Sequence, residues 1–229
     1  MFHYEKSWQD VGNRVLRAAE GAGRPAASVR VLAVSKSHPP EAIRALYALG
    51  QRAFGENYVQ EAVAKMNALG DLAEIEWHLI GPLQSNKTAT AAERFGWVHT
   101  LDRQRIAERL SASRPPDAPR LNVCVQVNIS GESTKSGVPP EDAVALARAV
   151  AALPRLKLRG LMGIAEPSPV MSSRREQFRI LRTLFGACRN AGLPVDTLSM
   201  GMSDDLEVAV AEGATLVRVG TALFGARAP

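Results

Sequence analysis

The chain has 229 residues, 46% of them hydrophobic and 22% charged, which is enough apolar content for a sizeable core and rules out a disordered chain. The net charge is +5, but the arginines are scattered, with no dense block and no interleaved aromatics, so the basic balance reads as a solvated surface. That pattern argues against nucleic acid and remains compatible with a small acidic ligand.

No run approaches the roughly 18 apolar residues of a membrane span, and the acid-containing N-terminus does not read as a signal peptide. The two cysteines, Cys124 and Cys188, form no C-x-x-C pair, so neither a metal site nor a disulfide framework is expected. A cytoplasmic chain with buried, reduced thiols and no membrane contact follows.

In chain order, an opening helix covers about 4–22. A β-branched run at 30–34 predicts a first strand, and a helix starts at Pro39-Pro40, where proline is tolerated in the first turn. Ile43, Leu46 and Tyr47 give that helix one apolar face, and Gly50 suits its stop. A strand near 52–55 precedes a helix near 57–68. EWHLI (76–80) is a third strand, followed by Gly81-Pro82 and a helix near 85–95. WVHT (97–100) is a fourth, with a helix at about 103–111 and a proline-rich connector at 113–119. LNVCVQVNI (121–129) is apolar nearly throughout, as a parallel strand covered on both faces requires. A helix from Pro139 to about Leu153 follows, then LKLRGLM (156–162), a loop at 163–173 and a long helix to about 191. DTLSM (196–200), a helix near 203–212 and TLVRVG (215–220) complete the series.

Eight strand–helix units in a chain of this length predict one domain over 1–229, a (β/α)8 TIM barrel with an extra N-terminal helix. An open doubly wound sheet shows the same alternation, and periodicity alone does not separate the two.

In a barrel, functional groups sit at the C-terminal ends of the strands. Lys36 follows the first strand, Glu56 and Asn57 the second, Asn128 ends the fifth and Met162 the sixth. The seventh is followed by Ser199-Met200-Gly201-Met202-Ser203 and the eighth by Gly220-Thr221. Loops seven and eight are where barrels commonly bind phosphate, and these supply hydroxyls, glycines for close approach and backbone N–H donors. Asp204 and Asp205 would have to point away from such an anion. Arg218 lies between Val217 and Val219 on a covered strand, so it needs a partner, either a nearby carboxylate or a ligand heteroatom. A lysine at the tip of a buried strand is costly to desolvate. Its pKa falls, and it becomes an amine able to form a Schiff base with an aldehyde. Phosphate cup, amine and arginine together match pyridoxal 5′-phosphate (PLP). Taken alone, Lys36 reads preferentially as a lysine bound to a substrate anion.

The motifs AVSKSHPPEAI, FGENYVQEA, EWHLIGPLQSNK, VNISGESTKSG, LRGLMGI, LSMGMSDDLEVAVAEGAT and VRVGTALFGAR occur in order over about 30–227. Together they resemble the pyridoxal phosphate homeostasis proteins, single-domain relatives of the alanine racemase N-terminal barrel. The resemblance implies covalently bound PLP with Lys36 as the Schiff-base lysine. It implies Ser199, Gly201, Met202, Gly220 and Thr221 as the phosphate cup, and Arg218 facing the pyridine nitrogen. Asn57 would line the cleft and Met162 would pack near the ring. Lys135 would help hand the cofactor on, and His38 stands where many members have a second lysine.

Two functions are compatible with these residues: a non-catalytic carrier and buffer of PLP, or an amino-acid racemase. Racemisation needs proton donors on both faces of the α-carbon. The racemases take the second from a tyrosine of another domain, which is not expected here, and Tyr58 is the one plausible substitute. His78 and His99 read as core histidines. The carrier is therefore expected, as a monomer, with PLP-dependent apo-enzymes as possible recipients.

Overall fold

The computed structural model describes residues 3–132, 135–166 and 171–226. Eight strands pair in chain order into a closed parallel barrel: β1 (Arg30–Val34), β2 (Ala53–Glu56), β3 (Glu76–Leu79), β4 (Trp97–Leu101), β5 (Leu121–Gln126), β6 (Leu156–Met162), β7 (Thr197–Ser199) and β8 (Leu216–Val219). The closure decides between the two sheets the sequence allowed. β1 pairs with β2 through Ala33↔Phe54 and also with β8 through Leu32↔Arg218 and Ala33↔Val219, so the open doubly wound sheet is excluded.

Helices follow the strands: α1 (Tyr4–Gly21) precedes β1, and then come α2 (Pro40–Ala48), α3 (Val59–Ala68), α4 (Thr88–Arg94), α5 (Gln104–Ser113), α6 (Ala143–Ala151), α7 (Met171–Asn190), α8 (Leu206–Ala211) and α9 (Thr221–Phe224). The expected helix at 85–95 opens as a 3-10 turn over Ser85–Lys87, and α9 was not anticipated from the sequence. β5 ends at Gln126 rather than 129, because the chain turns to meet the 136–138 segment: Val138 N–H donates to the Gln126 carbonyl (2.8 Å) and Asn128 N–H to the Val138 carbonyl (2.9 Å). Residues 133–134 of the Lys135 motif and 167–170 of the loop after β6 lie outside the described residues.

Strand alternation divides the apolar residues into two sets. One faces the helices and forms the main core, with Phe54, Leu79, Val98 and Val123 among its buried members. The other fills the lumen, where Leu32, Ala53 and Leu216 cluster at one place and Trp97, Cys124 and Met162 at another. Burial pushes the Cys124 thiol up to about 12, so it is an inert core group. α1 buries Val11, Val15 and Ala19, and Arg14 ties it to α8 through Glu207 (2.8 Å) and the Ser203 carbonyl (2.8 Å). Among the described residues no helix is long and apolar enough to cross a membrane, and no cluster of His, Cys, Asp and Glu could hold a metal ion.

β6 crosses β7 so closely at Gly160 that a Cβ there would overlap the Thr197 carbonyl oxygen. The register between β5 and β6 shifts at the same place, between Val123 and Cys124. Gly160→Ala is therefore expected to cost about 3 kcal/mol as an overpacked strand crossing. The urea unfolding midpoint checks this, and an unchanged midpoint would mean the crossing relaxes freely.

Candidate functional site

The C-terminal mouth of the barrel opens with the turn that carries Lys36. His38 N–H donates to the Ser35 carbonyl (3.0 Å), and Ser37 takes a left-handed φ of 63°, costly for a residue with a side chain. A buried cluster behind the turn holds it. Lys65 of α3, 5% exposed, donates to the Ser35 carbonyl (2.7 Å), to Glu56 (2.8 Å) and to Glu61 (2.7 Å). The Ser35 hydroxyl donates to Glu56 (2.6 Å) and Ser37 N–H to Glu61 (2.6 Å). Burial raises the Glu56 pKa against the pull of Lys65. Burial works the same way on Glu61, but Lys65 and the Ser37 N–H outweigh it and hold that carboxyl below its ordinary range. Lys36 itself is half-buried.

Arg218 projects from β8 into the lumen, 5% exposed. One of its terminal nitrogens, Nη1, donates to the Ser199 carbonyl (2.8 Å) and hydroxyl (3.0 Å), and Nη2 donates to the Gly163 carbonyl (3.0 Å). Among the described residues no carboxylate hydrogen-bonds to it, so the carboxylate partner that a sequence reading allows is not seen there. Desolvation lowers its pKa to about 10, with the Asp205 charge opposing, and it stays cationic at neutral pH. The Ser199 hydroxyl also meets His99 Nδ1 (3.0 Å), and His99 Nε2 meets His78 Nδ1 (2.9 Å). Burial lowers the pKa of both histidines, so they are neutral core groups.

Two of the residues expected at the cofactor lie on the lumen face of their strands. Ser199 is wholly buried, and its hydroxyl meets Arg218 and His99, because its place on β7 points it inward. Met162 is likewise wholly buried, packed with Trp97 and Cys124, because strand alternation turns it into the lumen.

The loops after β7 and β8 meet beside the Lys36 turn. Ser203, quoted in the β7 motif but not singled out there, approaches the Ala222 N–H with its hydroxyl (3.5 Å) and so links the two loops. A Cβ on Gly220 would lie 3.5 Å from the Val34 carbonyl oxygen, and the His38 ring stacks on Phe224 at 4.7 Å. These contacts before and after Lys36 bring its turn against Gly220 and Thr221. Gly201 has φ 91°, and its bare Cα faces Ala209, where a Cβ would come within 2.5 Å. Packing against α8 therefore requires this glycine. Asp204 points to solvent as expected, but Asp205 does not: its buried carboxylate accepts the Met202 N–H (2.5 Å).

Asn57 lies across the mouth. It helps line a cavity of about 350 Å³ together with Gly81, Gln126, Asn128, Lys135 and Glu166. Gly81 passes so close to the Asn57 backbone that any side chain there would collide with it. Lys135 pairs loosely with Glu132 (3.5 Å). The structure thus brings Lys36, Gly220 and Thr221 together, with Arg218 on the strand beside β1, and leaves Asn57 and Lys135 in the adjoining cavity.

Residues 13–228 match the alanine racemase N-terminal domain family. The chain is 56% identical to the pyridoxal phosphate homeostasis protein of Pseudomonas aeruginosa over 217 residues, 95% of this chain and 93% of that protein. It belongs to the pyridoxal phosphate homeostasis protein family. The Escherichia coli member is 49% identical over 219 residues, covering 95% of this chain and 94% of that protein. Among solved members, PipY of Synechococcus elongatus with PLP bound superposes with a TM-score of 0.81 at 42% identity, over 93% of this chain and all of that one. An alanine racemase of Clostridium difficile shares the fold alone, with a TM-score of 0.76 at 13% identity over 93% of this chain and 55% of that one.

The Lys65 cluster makes the turn sensitive to a residue that lies outside the family motifs read above. Lys65→Ala strands Glu56 in the core and should cost about 3–5 kcal/mol, with partial recovery in the double variant Lys65→Met/Glu56→Gln. Urea denaturation measures both, and a loss below about 1 kcal/mol would mean the cluster is effectively solvated.

Proposed function

We propose that this protein binds PLP and carries and buffers it, with Lys36 as the covalent anchor and without turnover of its own. One observation carries the reading. Arg218 is a buried guanidinium whose hydrogen bonds use three of the five N–H donors such a group possesses. The remaining donors suit a neutral acceptor such as an unprotonated pyridine nitrogen, and β8 is hydrogen-bonded to β1, which leads into Lys36.

The donor set fits the group. PLP brings an aldehyde, a pyridine ring that can withdraw electrons, and a phosphate. Lys36 would supply the amine that holds the aldehyde carbon covalently, the carbonyl oxygen being lost as water. The backbone N–H groups of Gly220 and Thr221 and the Thr221 and Ser203 hydroxyls would hold the phosphate, while Gly201 and Met202 shape the neighbouring loop. Asn57 closes the far side of the cleft. Arg218 would face the ring nitrogen as a donor only, which would leave that nitrogen unprotonated and weaken the ring as an electron sink.

The carrier reading is favoured over racemisation by the surroundings of the available bases. His78 and His99 are committed to each other inside the lumen. Tyr47 donates to Glu74 (3.2 Å) and lies under Arg52 on the helical outside. Tyr58 is 61% exposed at the start of α3. The relatives named above are called homeostasis proteins, not racemases. The larger exposed apolar residues, Leu16, Tyr58, Ile164 and Met171, are scattered, which favours a monomer. Both cysteines are free and buried, which favours a reducing cytoplasm. PLP-dependent apo-enzymes are the natural recipients of a buffered cofactor, and the Lys135 ammonium lining the cavity beside Asn57 supports a part in release.

Lys36→Ala should abolish the near-ultraviolet imine absorbance and the cofactor mass trapped by borohydride. Trapping at full stoichiometry in that variant would assign the anchor to another lysine. Incubating the loaded wild type with L-alanine should leave its chirality unchanged beyond the free-cofactor background, and faster racemisation would make the protein an enzyme.

A further inference from the structure

Arg218 is a guanidinium in the barrel lumen with no acid in contact, an arrangement costly unless a counter-charge reaches it. The side chains behind it are arranged in a line. Arg218 Nη1 meets the Ser199 hydroxyl (3.0 Å), Ser199 meets His99 Nδ1 (3.0 Å), and His99 Nε2 meets His78 Nδ1 (2.9 Å). Beyond that, His78 Nε2 faces the Glu76 carboxylate at 3.7 Å, where β3 begins. Ser199, His99 and His78 are wholly buried, and Glu76 is 43% exposed and paired with Arg30 (3.0 Å).

Proton counting gives this line a direction. A guanidinium has donors only, so the Ser199 oxygen accepts from Arg218. The one hydroxyl hydrogen then goes to His99 Nδ1, which must be bare. His99 carries its proton on Nε2 and donates to His78 Nδ1, so His78 carries its proton on Nε2, toward Glu76. The reverse sense would leave the Ser199 hydrogen without an acceptor among the described residues and set a bare His78 nitrogen against a carboxylate. Both ends select the same order. The charged groups acting on the rings, Glu76, Arg30 and Arg159 at His78 and Arg218 at His99, leave it intact, because burial keeps both rings neutral. Trp97 stacks on His78 at 5.0 Å and holds the ring in plane.

We propose that His99 and His78 are positioning residues for Arg218, and that with Ser199 they form one polarised hydrogen-bond chain behind the guanidinium, whose last ring nitrogen, His78 Nε2, makes no hydrogen bond and faces the Glu76 charge across 3.7 Å. Each bond strengthens the next, and the Glu76 carboxylate, 3.7 Å from His78 Nε2, polarises the His78 end through space, so that Ser199 becomes a better acceptor. The guanidinium is thereby held in one orientation with its uncommitted donors toward the mouth. The consequence for cofactor binding rests on the function proposed above, but the chain itself does not.

The test uses the full chain. Isotope-edited imidazole NMR of the cofactor-free wild type at neutral pH should show both rings neutral, protonated at Nε2 and bare at Nδ1. Glu76→Gln, outside the core, should move the ring signals of His78 and also of His99. In PLP-loaded protein, His99→Leu should speed cofactor release about tenfold, the scale of one lost hydrogen bond near a charged group. His99→Gln, whose amide accepts and donates in the same sense, should stay within about twofold of wild type. A proton on His99 Nδ1, a doubly protonated ring, or a Glu76→Gln effect confined to His78 would overturn the chain. Equal release from folded His99→Leu and His99→Gln would overturn the positioning role. If His99→Leu does not fold, the wild-type tautomers and the Glu76→Gln response decide. If the wild type takes up no PLP while those two come out as stated, the chain stands and the cofactor assignment falls.

Discussion

A guanidinium inside a closed ring of strands is the constraint on which the mouth of this barrel depends. Desolvation disfavours Arg218 strongly, and the surroundings answer with carbonyl oxygens, a hydroxyl and two neutral imidazoles, not with an adjacent acid. The identities of several lumen residues follow from that demand. Ser199 supplies a small hydroxyl backed by His99, which meets His78 in turn, and Gly163 brings its carbonyl within reach. A cation held by neutral groups keeps its charge available to whatever enters the mouth.

The other side of the mouth solves the opposite problem. Lys65 is a buried cation surrounded by two carboxylates and a carbonyl, and it serves to fix backbone. Its bond to Ser35, with the Glu61 bond to the Ser37 N–H, supports a left-handed residue next to Lys36. The half-buried lysine thus sits on a rigid turn whose flanks touch Gly220 and Phe224. A side chain on such a turn has less conformational freedom to lose on binding a ligand, and a cavity of about 350 Å³ lined by Asn57 and Lys135 opens elsewhere at the mouth.

Much of this was legible in the chain. The run 30–34 ending at Lys36 and the glycine–hydroxyl pairs after the last two strands were readable because strand tips are local features, set by pattern and punctuation. Arg218 was conspicuous for the same reason, as a charge between two valines. The direction in which a hydroxyl points was not readable. Ser199 and Ser203 sit four residues apart in one motif, yet one faces the lumen and the other bridges two loops. Met162 ended a strand as expected but turned inward. Asp205 took the Met202 N–H that a phosphate loop would otherwise offer.

The sequence by itself determined the count and order of strands and helices, the position of the amine and the family motifs, because hydrophobic period and turn chemistry act over a few residues. Tertiary structure decided that the sheet closes, since closure depends on β1 meeting β8 across almost the whole chain. It also decided which polar groups meet. His78, His99, Ser199 and Arg218 come from four strands, and Lys65 reaches Ser35 from thirty residues away. Such pairings are set by the strand register and packing of the closed barrel, and no local pattern encodes them.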